Sequence, residues 1–226
     1  MRCSALLISL LLPSALAAQA VVCPDSRFTV ENGARYTEHV CEVVEAAARE
    51  LSACNLPISR RVNITLLDEL EENCVGLYHC SDDRIEVLHP DQLELQIPNS
   101  ALFSALEPLE YFDSVVFHEL VHAAFDEIPC PFQSCAATSE YLAYALQIRN
   151  LSDDARKRIG LEAVPEEQVS RQKFSAIMAF WVPDRFALDA WAHLMQRPDP
   201  CAYVGSIAAG NILFDTETPF ILAPPD

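Results

Sequence analysis

Two histidines four residues apart, His118 and His122, lie inside the run Val115-Val116-Phe117-His118-Glu119-Leu120-Val121-His122-Ala123-Ala124-Phe125. On a helix, positions four apart differ by only about 40° around the axis, so both imidazoles reach one point, one turn apart. Glu119 sits about 100° round from His118, where its carboxylate can reach a water at that point without being a ligand. Two imidazoles leave a catalytic zinc short of the three protein ligands it normally has. The rest of the chain must therefore fold so as to bring a third donor to the pair. Glu140, eighteen residues beyond His122, falls on the next helical pattern, residues 136–147. Between the two patterns stands Ile128-Pro129-Cys130-Pro131-Phe132, whose prolines forbid one continuous helix and let the second fold back on the first. The expected site is zinc on His118, His122 and Glu140, with Glu119 as general base.

His118-Glu119-Leu120-Val121-His122 followed by Ser139-Glu140-Tyr141-Leu142 resembles the gluzincin metallopeptidases, the clan that includes thermolysin and the neutral aminopeptidases, over about residues 117–144. The resemblance implies zinc-dependent hydrolysis of peptide bonds, in which Glu119 takes a proton from a zinc-activated water and passes it to the leaving amine. It also implies a small sheet whose edge strand pairs with extended substrate, the expected edge being Arg84 to Leu88. The chain departs from the family in two places. Thermolysin-like enzymes carry an aspartate one turn after the third ligand to orient a histidine; Tyr144 stands there in this chain, so that contact is absent or comes from elsewhere. Asp126, one turn after His122, reads as a solvated helix-end residue. No exopeptidase motif precedes the zinc helix, and nothing points to aminopeptidase action. Tyr141, Tyr144 and His193 are candidates to steady an oxyanion, and each also reads as a packing residue.

A chain of 226 residues suits one domain. The expected fold is α+β, with a small antiparallel or mixed sheet packed on the zinc-site helix pair and a mostly helical C-terminal part. Val40, Val43, Val44, Ala47 and Leu51 recur at helical spacing and predict a helix from about Glu31 to Cys54. Val62, Ile64 and Leu66 alternate with polar residues as in a half-buried strand, followed by an acidic loop from Asp68 to Asn73. Val75 to Cys80 and Arg84 to Leu88 read as a hairpin, giving about three strands. Asp113 to Phe125 is strongly helical; further helices are predicted over Ser152–Ile159, Glu166–Met178 and Asp184–Met195, and a short strand over Asn211–Phe214.

Arg2, the apolar run Ala5 to Leu12, and Ala15-Leu16-Ala17-Ala18-Gln19-Ala20 have the order of a secretory signal, so residues 1–20 read as a signal peptide and 21–226 as one metallopeptidase-like domain. The apolar run falls short of the about 20 residues that span a bilayer, and Val22 before Cys23 argues against lipid attachment, so no membrane anchor is expected. The expected location is secreted or periplasmic. Eight cysteines remain after the signal, which suggests up to four disulfides. Cys130 and Cys135 flank the connector between the two ligand helices and are expected to bridge. Cys74 and Cys80, about 20 Å apart if the strand between them is extended, need distant partners. A net charge of −18 disfavours nucleic acid and anionic membranes. Five unclustered glycines supply no phosphate-binding loop. A peptide or protein is the expected partner. His39, His79 and His89 have no partner at ligand spacing. The rival expectation is a catalytically inactive zinc-binding secreted domain with a binding or structural role.

Overall fold

The computed structural model describes residues 20–70, 74–80, 82–96 and 102–216, and its fold is α+β. The expected signal peptide falls almost wholly outside these residues. Five strands, β1 (Ala20–Val22), β2 (Phe28–Glu31), β3 (Val62–Leu67), β4 (Gly76–His79) and β5 (Arg84–Leu88), form one sheet in the order β1-β2-β3-β5-β4. In β2 and β3 the side chains of Phe28, Val30, Val62, Ile64 and Leu66 are buried, following the two-residue period of a strand with one face on the core. The sheet is mixed: β3 runs parallel to β2 and to β5, while β1 and β4 pair antiparallel at the two edges.

Two parallel neighbours need a crossover, and helix α1 (Thr37–Ala53) supplies it between β2 and β3. Val40, Val44, Ala47, Ala48 and Leu51 of α1 are buried. Each large aliphatic side chain so buried contributes about 1.5–3 kcal/mol. The helix starts six residues later than the sequence pattern predicts. Glu31 instead ends β2, and Asn32 and Ala34 take positive φ of 57° and 46°, which a right-handed helix cannot contain. The short strands β1 and β2 are additions to the expected three.

The expected edge strand is corrected. Arg84–Leu88 lies inside the sheet between β3 and β4, and the outer position belongs to β4. The chain runs to the edge first and returns inward, an order that alternation within each strand does not encode. Asp68 to Leu70 has no regular structure, and the rest of the predicted acidic loop lies outside the described residues, as does Ser81 of the hairpin turn.

Helices α2 (Pro90–Gln96), α3 (Pro108–Phe125), α4 (Ala136–Asn150), α5 (Asp153–Arg158), α6 (Ala176–Trp181), α7 (Pro183–Met195) and α8 (Pro200–Ala208) complete the fold. α3 contacts α1, β4 and β5 on one side and α4 on another, and α7 packs against α4. Enclosed in this way, α3 is apolar around most of its circumference, as a central helix must be. Pro108 in its first turn suits the missing intrahelical donors there. His39 of α1 meets Asp113 of α3 at 2.6 Å, and His79 meets Glu86 across the hairpin at 2.9 Å, so both histidines are structural.

Glu166 to Met178 is not one helix. The Gln196 side chain donates to Pro165 O and Glu167 O and accepts from Val169 N–H, satisfying backbone groups that a helix would otherwise have paired. Only a 3₁₀ turn at Arg171–Lys173 and the short α6 form there. Asn211–Phe214 is likewise not a strand. Phe214 is instead buried against Tyr141 and Phe174.

Three disulfides form: Cys23–Cys41, Cys54–Cys201 and the expected Cys130–Cys135. Cys74 and Cys80 are unbridged, so the expectation of distant partners for them fails among the described residues. No helix among the described residues is long and apolar enough to cross a membrane.

Candidate metal centre

The His118-Glu119-x-x-His122 segment is helical, in α3, and the antiparallel packing of α4 on α3 brings Glu140 to it. Two features fix where α4 begins. The Cys130–Cys135 bridge closes the proline-containing connector, with Cα atoms 5.8 Å apart. Asp215, from the end of the described chain, accepts from Ala137 N–H at 2.8 Å and Thr138 N–H at 3.0 Å. A carboxylate on the free donors of a helix N-terminus is favourable through both hydrogen bonding and the helix dipole. Ser139 and Glu140 follow directly from this anchored turn.

His118 Nε2 and His122 Nε2 lie 3.1 Å apart, and the Glu140 carboxylate oxygens lie 3.8 Å from the first and 3.7 Å from the second. Tetrahedral coordination at zinc distances puts donor atoms about 3.3 Å from one another. The two carboxylate contacts are to different oxygens of Glu140; taken one donor atom per residue, the three all lie within 4.8 Å of one another, so the trio could hold a single metal ion.

Hydrogen bonding assigns the proton positions. Ser114 Oγ–H donates to Tyr111 O at 2.8 Å, so the Ser114 oxygen accepts from Gln147 Nε2 at 3.1 Å. That turns Gln147 Oε1 toward His118 Nδ1 at 2.9 Å, and since an amide oxygen only accepts, Nδ1 carries the proton. His118 Nε2 then presents a bare lone pair. His122 Nδ1 lies 2.8 Å from the Ser139 hydroxyl, which can accept in the same sense. With His122 in that tautomer the two Nε2 lone pairs face each other at 3.1 Å, an arrangement that a cation between them would stabilise.

Charge reinforces this. Burial pushes His118 down to about 4 and His122 well below its usual 6.5, so both rings are neutral. Burial, with the neighbouring Glu140 charge, pushes Glu119 up to about 8, and burial pushes Glu140 up to about 7. Among the described residues no lysine or arginine pairs with either carboxylate. A divalent cation would supply the counter-charge for such a set.

Glu119 is 7% exposed, with its carboxylate against edge strand β4 at Gly76. The approach is close: a Cβ on Gly76 would stand 2.7 Å from Glu119 Oε1 and 2.7 Å from Val115 Cγ1. Glycine at 76 therefore lets the strand touch the helix here. Glu119 lines a cleft of about 1640 Å³ together with His118, His122 and Glu140, whose side chain keeps 33% exposure there.

Of the other residues singled out in the sequence, Tyr144 lines this cleft, its ring edge-on to His118 with centroids 4.6 Å apart. Burial and the Glu140 and Glu119 carboxylates hold its phenol protonated. Tyr141 and His193 are elsewhere, joined to each other at 2.8 Å in a buried aromatic cluster with Phe174 and Phe214. Asp126 is not a free helix-end residue, because Arg60 holds it at 2.7 Å and the Tyr78 hydroxyl donates to it at 3.3 Å. Sequence reasoning missed Gln147 and Ser139. Gln147 lies seven residues after Glu140, two turns along the same helix face, and that register was a usable signal. Ser139 offered none beyond adjacency to Glu140.

Fold and site together define an α+β protein carrying a candidate mononuclear metal centre between two packed helices. The chain belongs to a family of unknown function (DUF6639), whose sequence profile matches residues 28–217. No curated protein and no solved structure matches it significantly.

Proposed function

We propose that the protein is an exported zinc-dependent metallopeptidase of the gluzincin type. The observation that carries the reading is the division of labour at one point. Three donors converge there, and a fourth polar group, Glu119, lines the same cleft outside the ligand set. Two imidazoles and a carboxylate suit zinc, which when bound lowers the pKa of a water and polarises a carbonyl. His118, His122 and Glu140 would hold the ion, with Gln147 and Ser139 keeping the histidine rings in the required tautomer. Glu119 accepts the proton of the attacking water and returns it to the leaving nitrogen as the C–N bond breaks.

Substrate class follows from the surroundings. The cleft exceeds the 300–1,000 Å³ or so typical of small-molecule sites. Beside it runs β4, an edge strand able to pair with an extended peptide. Disulfides at three places fit an oxidising compartment and hence export.

The test is a mixed-peptide digest by zinc-replete protein lacking residues 1–17, with Glu119→Gln and Glu140→Ala alongside. Wild type should cleave, Glu119→Gln should keep zinc and lose nearly all turnover, and Glu140→Ala should lose zinc. Zinc held by a wild type that cleaves nothing would replace the peptidase reading with that of a metal-binding protein without turnover.

A further inference from the structure

Helix α6 carries most of the exposed large hydrophobic side chains among the described residues. Ile177, Met178, Phe180 and Trp181 of α6 and the adjoining Val182 all stand in solvent, Phe180 at 82% exposure and Trp181 at 75%, while Ala179 is the one buried residue of the helix. The Phe180 and Trp181 rings stand edge-on with centroids 6.2 Å apart, so the patch is contiguous. Soluble proteins seldom leave such a patch bare; it marks a surface that something covers. We propose that the cover is the C-terminal segment of this same chain, residues 217–226, seated on α6 through Phe220, Ile221 and Leu222. That segment lies outside the described residues.

Position favours this occupant. The Phe214 ring lies 5.1 Å from the Phe174 ring, and Phe174 is followed directly by Ser175, the N-cap of α6. Arg171 donates to Leu213 O and stacks over Phe214 at 5.3 Å. Asp215 is held at the first turn of α4, and α4 itself packs against α6. The described chain therefore ends beside the segment that leads into the patch. From end to end α6 rises only about 9 Å, at 1.5 Å per residue. Phe220 follows Phe214 by six residues, about 20 Å of extended chain, so the apolar triplet has the reach.

Chemistry favours it as well. Phe220-Ile221-Leu222 is flanked by Pro219 and by Pro224-Pro225, residues that a continuing helix would exclude, so the triplet is offered on non-helical chain. Arg171 makes no ion pair among the described residues, and Glu217 is the first acidic residue after Asp215, which gives the connection a charge partner at its start. A separate occupant meets an obstacle that the tail does not. A second copy or an anionic bilayer must approach a chain of net charge −18. The tail is already attached, at an effective concentration of about 1 mM or more.

Trp181 reports on its own cover, because Trp191, the other tryptophan of the chain, is buried. Acrylamide quenching of tryptophan fluorescence is measured on three proteins lacking residues 1–17: one otherwise complete, one ended at Thr216, and one carrying Phe220→Asp, Ile221→Asp and Leu222→Asp. Trp181→Phe supplies the Trp191 background. The complete protein should show a Trp181 quenching constant about threefold or more below both variants, and a synthetic peptide of residues 217–226 should protect the shortened protein at about millimolar concentration. Equal quenching of Trp181 with and without the triplet overturns the proposal. Protection that fades as the protein is diluted also overturns it, because mass action then assigns the cover to a second copy. The triple variant keeps the full chain length, so it decides the matter even where shortening unfolds the protein. None of these readings depends on metal or on hydrolysis.

Discussion

Replacing Gln147 with methionine probes the histidine geometry without emptying the core, since the two side chains are of similar volume and Gln147 is only 3% exposed. The change removes the acceptor 2.9 Å from His118 Nδ1 and leaves that N–H buried without a partner. An unsatisfied buried donor costs about 1–3 kcal/mol. The ring can escape this by moving its proton to Nε2, but Nε2 is the nitrogen that must be bare to bind metal, so the cost reappears as lost affinity. At 1.4 kcal/mol per factor of ten, zinc binding should weaken about 5- to 140-fold. The usual effect of deleting a histidine-orienting partner, about 10- to 100-fold, falls inside that range. Ser139→Ala should cost under about threefold, because Ser139 is half-buried and water can take over as acceptor for His122. Gln147→Glu keeps the acceptor and gives it charge, so it should bind zinc at least as tightly as wild type. The assay is a competitive zinc titration against a chromophoric chelator at pH 7, with the melting temperature of each metal-free protein as control. Wild-type affinity in Gln147→Met, or a larger loss in Ser139→Ala than in Gln147→Met, would refute the tautomer argument.

Gly76→Ala should lower the melting temperature by the equivalent of about 1–3 kcal/mol and reduce turnover more than zinc affinity, because the new methyl meets Glu119 and Val115 but no ligand; unchanged kinetics would show that the strand can give way. Burial, helped by Arg197 and Arg171, pushes His193 from 6.5 down to about 4, so below pH 6.5 the unfolded chain binds a proton that the native state refuses. This contribution to stability is complete above pH 6.5 and is lost as pH falls toward 4, by roughly 3 kcal/mol at most. Urea denaturation should show a shallower decline over that window in His193→Asn than in wild type, and equal slopes would contradict the burial argument. Cys130→Ser with Cys135→Ser opens a loop of sequence separation 5, for about 2 kcal/mol of stability. The pair should also weaken zinc binding, and unchanged affinity in the chelator titration would deny the bridge any part in placing α4.

The candidate metal trio was legible in the sequence because helical geometry alone brings His118 and His122 together, and the prolines at 129 and 131 announce the turn that returns Glu140. What supports these three side chains was harder to read. Gln147 matters only once α4 lies against α3 in one register, and its orientation is set by Ser114 on the other helix. Strand order was hidden for a similar reason: the alternation in β4 and β5 is alike, and which of them is flanked on both sides depends on the path between them. β2 was within reach, since Phe28-Thr29-Val30-Glu31 alternates in full, but four residues beside a strong helical pattern were absorbed into it. Loss of the predicted helix after Glu166 turns on one distant side chain, Gln196, which no local pattern reveals.

The Cys54–Cys201 bridge sets a timetable for the chain. Its two sulfurs are separated by 147 residues, and every proposed metal ligand is made in the interval. As the chain emerges, Cys23 has its partner after 18 residues and Cys130 after 5, whereas Cys54 waits. During that wait Cys74 and Cys80 appear first, both thiols that the finished fold leaves unpaired. Maturation of this protein is therefore a contest between an early wrong partner and a late right one. Thiol exchange has to remain open until the last of the nine cysteines, at position 201, has been delivered.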